Sequence, residues 1–142
     1  MTSTRALGER LSMLARHLEA FEAPGLSFGT WEPSWTDRAG VIHLGWYRPS
    51  PAAEAFLADV ADGGWVQPFD WRAWLETERG KELAGSPAAV ATASAEELGQ
   101  LLTAIVRADR FSDGSLAGAY QSGLLTAILR RAKALPRSVD SQ

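Results

Sequence analysis

Apolar residues fall at helical spacing along most of this chain, most clearly between residues 94 and 135. Leu98, Leu101, Leu102, Ile105 and Val106 recur at three- and four-residue steps, which puts them on one face of an α-helix. Ser94 followed by Glu97 supplies a capping box at its start. A charged corner follows at residues 107–114. There Asp113 or Ser112 can cap a short helix running through Leu116, Ala119 and Tyr120. Gly123 interrupts the pattern, as a glycine in the left-handed region does at a helix end. Leu124, Leu125, Ile128, Leu129 and Ala132 resume the stripe. Arg130, Arg131 and Lys133 stand in its last turns, where cations suit the helix dipole, and Pro136 closes it.

Upstream, Ser3 or Thr4 can start a helix whose Leu7, Leu11, Leu14, Leu18 and Phe21 make one amphipathic face before Pro24-Gly25 ends it. The period then changes. Leu26, Phe28 and Trp31 lie in a strand-like segment, residues 33–40 read as a loop, and residues 41–47 are β-branched and aromatic enough to form the best strand. Alternation puts Ile42, Leu44 and Trp46 on one side of it and Val41, His43, Gly45 and Tyr47 on the other. The two segments are expected to pair as a hairpin that must pack on the helices to persist. Ser50-Pro51 starts a helix with Ala53, Phe56, Leu57 and Val60 inward, stopped by Gly63-Gly64. Residues 65–69 are an extended link. Asp70 caps a helix that Gly80 either ends or carries through to Leu83, and Ser86-Pro87 begins one more brief turn.

The sum is an α+β fold, mostly helical, with a small antiparallel hairpin packed against a bundle of five to seven short helices. One domain over residues 1–142 is expected, with a core at about 4–135 and a mobile tail at 136–142. Composition agrees: 46% hydrophobic and 22% charged residues are ordinary for a globular chain. The absence of cysteine excludes disulfides and thiolate metal sites. No apolar run approaches the roughly 20 residues that span a bilayer. Arg5, Glu9, Arg10 and Arg16 break up any signal-peptide-like segment, so a cytoplasmic location with no membrane partner is expected. Abundant Ala and Arg with two lysines and no asparagine suit a GC-rich bacterial genome. Net charge is −3 but uneven: residues 1–100 carry 8 basic and 14 acidic residues, residues 101–142 carry 6 and 3. That asymmetry permits an anionic partner at the C-terminal end.

The candidate binding residues follow from it. Arg107, Asp109, Arg110 and Asp113 gather at the charged corner, where two guanidiniums steadied by two carboxylates can recognise an anion. The same residues also suit a helix C-terminus and the N-cap of the next helix. Arg130 and Arg131 extend the basic surface along the last helix. A helix-turn-helix reading of residues 98–121 is weakened by a recognition helix, residues 115–121, with no Arg or Lys, and is kept open by the basic run Arg130, Arg131, Lys133 and Arg137. Neither a catalytic motif nor metal-ligand spacing occurs; His43 is the single candidate general base, and no cofactor is implied. Asp59 and Asp62 read as helix surface. Of the six tryptophans, Trp46, Trp71 and Trp74 are expected in the core and Trp35 outside it.

Three segments also carry a resemblance. Residues 65–71 (WVQPFDW), 103–114 (TAIVRADRFSDG) and 123–131 (GLLTAILRR) together resemble a family of small bacterial proteins with "domain of unknown function 6508". The likeness runs from roughly Trp31 to Leu135, with Asp113 where the family pattern carries glutamate. It implies a coherent fold and no activity, cofactor or partner. From the absence of catalytic motifs and the clustered arginine-aspartate corner, the expected role is a non-enzymatic protein-interaction or regulatory module whose partner is another protein. The alternatives are a weak nucleic-acid binder through the basic C-terminal helices and a small enzyme using His43.

Overall fold

The first helical stripe is broken in two. In the computed structural model, which describes residues 6–111 and 115–135, α1 spans Leu7–Ala15 and α2 spans Leu18–Glu22. The break at Arg16 and His17 turns both side chains toward a third helix, and Leu11, Leu14, Leu18 and Phe21 stay buried across it. The expected starts at Ser3 or Thr4 lie outside the described residues.

Next come four short strands, β1 Gly29–Glu32, β2 Trp35–Thr36, β3 Ile42–His43 and β4 Trp46–Pro49. Helix α3, Pro51–Asp62, begins at Ser50, whose hydroxyl accepts from the Ala53 amide at 3.2 Å. The helix expected from Asp70 onward is two helices, α4 Trp71–Glu76 and α5 Glu78–Gly85. Thr77 makes the division: it leaves helical geometry and its hydroxyl accepts from the Gly80 amide at 3.0 Å. Gly80 is required there because a Cβ on it would collide with the Trp74 carbonyl. A 3-10 helix over Pro87–Thr92 leads to α6 Ala95–Phe111, then α7 Ser115–Gln121 and α8 Leu124–Ala134. Among the described residues no helix is long and apolar enough to cross a membrane.

The capping box forms as expected. Ser94 N–H donates to Glu97 Oε1 at 3.0 Å, and Glu97 N–H donates to Ser94 Oγ at 3.1 Å. Gly123 adopts φ +87° in front of α8, the left-handed conformation that favours glycine. Helix α8 lies at the centre of the packing, against α1, α2, α6, α7 and the 3-10 helix. Leu125, Ile128, Leu129 and Ala132 are fully buried there. Each large apolar side chain so buried contributes about 1.5–3 kcal/mol.

One acid is pulled into this interior. Asp59 of α3, expected at the surface, is buried. It accepts from Arg16 Nε at 2.7 Å and Nη2 at 2.8 Å, and from His17 Nε2 at 2.6 Å. The helix period explains the burial, since Asp59 follows the buried Phe56 by three residues and precedes the buried Val60. Burial alone pushes the carboxyl up, but the hydrogen bonds from Arg16 and His17 outweigh it, so its pKa lies below the usual aspartate value. A second tie joins α5 to α6: Arg79 forks onto Glu97 at 2.9 and 3.0 Å, which holds the Glu97 carboxyl below its usual range.

Two outcomes follow. Asp59→Asn should lower stability by about 1–3 kcal/mol at neutral pH, because it weakens the Arg16 fork and removes the charge that attracts it. The folded-state pKa of Asp59 lies below the unfolded one, so its contribution is complete above the unfolded value and lost as pH falls through the folded one. Urea titrations of wild type and variant should therefore converge in strong acid; a gap that persists there contradicts the assignment. Gly80→Ala should lower the melting temperature although alanine favours helix, because the Trp74 carbonyl occupies the space; overpacking of this kind costs about 1–3 kcal/mol.

Candidate functional site

Strands β1 and β4 pair antiparallel with Gly29 opposite Pro49 and Trp31 opposite Tyr47. Beyond them β2 and β3 pair with Trp35 opposite His43 and Thr36 opposite Ile42. Together they form one ribbon broken midway. Pro33 has no N–H to give the ladder. Opposite the break, Gly45 passes so close that a Cβ on it would sit 2.6 Å from the Glu32 carbonyl oxygen. The segment expected to be a plain loop, residues 33–40, thus contains a strand, and the strand expected at 41–47 is split at Leu44-Gly45.

The base of the ribbon is anchored. Phe28, just before β1, is buried, stacked on Tyr120 at 5.0 Å and edge-on to Phe21 at 5.9 Å. Tyr47 is half-buried, with Trp31 edge-on at 5.0 Å. Burial and the nearby Asp109 carboxylate push the Tyr47 hydroxyl pKa up. The tip is held by Asp37. Its Oδ1 accepts from the amides of Ala39 at 2.9 Å and Val41 at 3.0 Å, and its Oδ2 from His43 Nε2 at 2.9 Å. The bond from His43, then those from the tip amides, keep the Asp37 carboxyl below its usual range. The His43 ring lies flat on Trp35, 4.2 Å between centroids and 9° between planes.

Between anchored base and tied tip, the apolar side chains face solvent. Trp31 and Trp35 are each 57% exposed, Trp46 48%, Val41 53%, Ile42 66% and Leu44 81%. The expectation that Trp46 belongs to the core is overturned. Tyr47 makes the inward contact from β4, so its neighbour Trp46, on the alternate face, turns outward, where Arg48 lies 5.5 Å over its ring. Trp35 is exposed as expected, and Trp71 and Trp74 are half-buried. The fully enclosed tryptophan is Trp65, from the link after α3, at 2% exposure.

The residues of the charged corner have distinct placements. Arg107 and Asp109 are half-buried on the last turns of α6. Asp109 Oδ1 accepts from the Leu116 amide at 3.1 Å, so it holds the first turn of α7, the task expected of Asp113 or Ser112. Asp113, Ser112 and the side chain of Arg110 lie outside the described residues. On α8, Arg130 pairs with Glu22 at 2.8 Å and Arg131 Nε donates to the Ala93 carbonyl at 2.7 Å. Both cations thereby fasten α8 to its neighbours. Among the described residues no three His, Asp or Glu side chains gather as a metal site.

The sequence shows only half of the exposed hairpin: the loop position of Trp35 marks it as exposed, whereas Ile42 and Leu44 look like any inward strand face. The usable signal was Gly45 next to Leu44 and opposite Pro33, a pairing that interrupts a ribbon and frees its far half from the core.

A family model described as a family of unknown function, DUF6508, matches residues 6–138. Neither a curated protein nor a solved structure matches the chain. The match reaches further than the stretch from Trp31 to Leu135 and takes in α1, whose Leu11 and Leu14 are enclosed in the same hydrophobic cluster as α8. With every described helix and the whole ribbon inside that match, the chain belongs to the family of unknown function DUF6508.

Proposed function

We propose that this protein is a non-enzymatic protein-interaction module that docks through its hairpin arm, and that the partner the arm fits is a second copy of the chain. The observation that carries the reading is a set of six large apolar side chains, each 48–81% exposed, spread over both faces of one ribbon in a chain with an otherwise well-buried core. Exposed apolar surface gathered on one element marks an interaction site.

Charge and backbone favour a like partner. Between Gly29 and Pro49 the arm carries two acids, Glu32 and Asp37, and two arginines, Arg38 and Arg48. A two-fold pairing of identical arms meets no net repulsion. Each two-stranded ladder keeps outer edges that no described strand covers, so a second strand can extend it. A nucleic-acid partner has less support, since Arg130 and Arg131 are engaged within the fold. A role for His43 as a base has less support too, because Asp37 takes its Nε2 and Trp35 covers its ring.

The test is the oligomeric state of the full chain by sedimentation velocity across a micromolar concentration series. Wild type should dimerise. The double variant Ile42→Lys with Leu44→Lys should be monomeric with an unchanged circular dichroism spectrum, because both side chains face solvent in the isolated fold. A wild-type chain that stays monomeric at high micromolar concentration overturns the proposal, as does a double variant that dimerises equally well.

A further inference from the structure

A cavity of about 530 Å³ opens between the first turns of α1, the link after α3 and the first half of α6. That volume lies within the range typical of small-molecule sites. It shares no residue with the hairpin arm. Trp65 forms part of its wall, and Thr103 holds the link in place: its hydroxyl donates to the Gly99 carbonyl at 2.8 Å and accepts from the Gln67 amide at 3.1 Å. Leu7 and Phe69 add apolar surface.

The group that gives the cavity its chemistry is Arg10. Its guanidinium lies 4.4 Å over the Trp65 ring, with Nε donating to the Gly63 carbonyl at 2.6 Å and Nη2 reaching toward the Gly64 carbonyl at 3.5 Å. Among the described residues no carboxylate pairs with it. Two of its five N–H donors are engaged, which leaves the end of the fork formed by Nη1 and Nη2 able to take a carboxylate in two parallel bonds. Burial lowers the pKa of this guanidinium. Trp65 Nε1, also buried, makes no hydrogen bond, the one such side-chain atom among the described residues. The cavity is not uniformly basic, because Glu96 on α6 lines it together with the amides of Gln67 and Gln100.

We infer that this cavity binds a small zwitterion of the amino-acid type: its carboxylate on Arg10, its ammonium toward Glu96, and its apolar body against Leu7 and Phe69. A simple anion would leave Glu96 facing negative charge, and a simple cation would meet Arg10. A molecule carrying both charges beside an apolar body satisfies both side chains. The interaction with Arg10 is charge-assisted and partly desolvated, so it carries most of the affinity. Glu96 is more exposed and sets preference between ligands.

Calorimetric titration of the full chain with three probes tests this: L-phenylalanine, 3-phenylpropionate, which lacks the amino group, and phenethylamine, which lacks the carboxylate. L-Phenylalanine should bind best, and its binding should shift the indole N–H resonance of Trp65. Phenethylamine should be weaker by about tenfold or more. Arg10→Lys, which keeps the charge and loses the fork, should weaken L-phenylalanine binding and leave the fold intact by circular dichroism. Glu96→Gln should abolish the preference for L-phenylalanine over 3-phenylpropionate while Arg10 still holds both. No binding of any probe at millimolar concentration overturns the inference, as does equal binding of phenethylamine and L-phenylalanine. A preference unchanged by Glu96→Gln removes the zwitterion and with it the assignment. None of these outcomes depends on whether the hairpin arm docks.

Discussion

The constraint on which the rest of this structure depends is the complete enclosure of one face of α8. A helix whose Leu125, Ile128, Leu129 and Ala132 are all withdrawn from water needs neighbours on several sides. Helices α1, α2, α6, α7 and the 3-10 helix supply them. That requirement explains the breaks. The first apolar stripe divides at Arg16 and His17, so Leu18 and Phe21 turn inward separately from Leu11 and Leu14. The chain after Asp70 divides at Thr77, and Leu83 reaches the core from a separate helix.

Polar contacts select the arrangement that apolar burial leaves loose. Asp59 is the clearest case, a carboxylate brought into the interior and satisfied by Arg16 and His17 from the break between α1 and α2. An unpaired charge at that depth would oppose folding, so α3 sits where the pair can form. Glu97 serves twice, closing the N-terminus of α6 and receiving Arg79 from α5. Thr103 fixes the Trp65 link to α6 in the same way. Each of these contacts is directional, whereas burial of leucine is not, and direction is what distinguishes one packing of short helices from another.

The hairpin is what remains once the helices have satisfied one another. Phe28 and Tyr47 reach the core, and past Pro33 and Gly45 the apolar side chains of the ribbon stay exposed among the described residues. Its own contacts, Asp37 at the tip and Trp35 on His43, order the backbone without hiding its aliphatic surface. An ordered ribbon with exposed tryptophans is suited to docking, because little conformational freedom remains to be lost on contact. The cavity beside Trp65 arises from the same geometry at the opposite kind of place, a gap between helices held apart by a buried indole and an arginine.

Periodicity and capping chemistry are local, and so the sequence determined the helical α+β class, the capping box at Ser94, the caps at Ser50 and Asp70, the left-handed Gly123 and the apolar stripes of α6 and α8. It also determined that a hairpin would form near Trp31 and Trp46, and three of its segments carried the family likeness. What it could not contain were the pairings between distant residues. Asp59 reads as surface until Arg16 and His17 arrive from 43 and 42 positions away. Arg130 and Arg131 read as a basic site until Glu22 and the Ala93 carbonyl take them up. Alternation assigns Ile42, Leu44 and Trp46 to one face but cannot say whether that face meets the core. The tertiary structure decided it, because Tyr47 takes the inward side of β4 and leaves Trp46 outward, and Arg10 found its place over Trp65 only when α1 and the link after α3 were brought together.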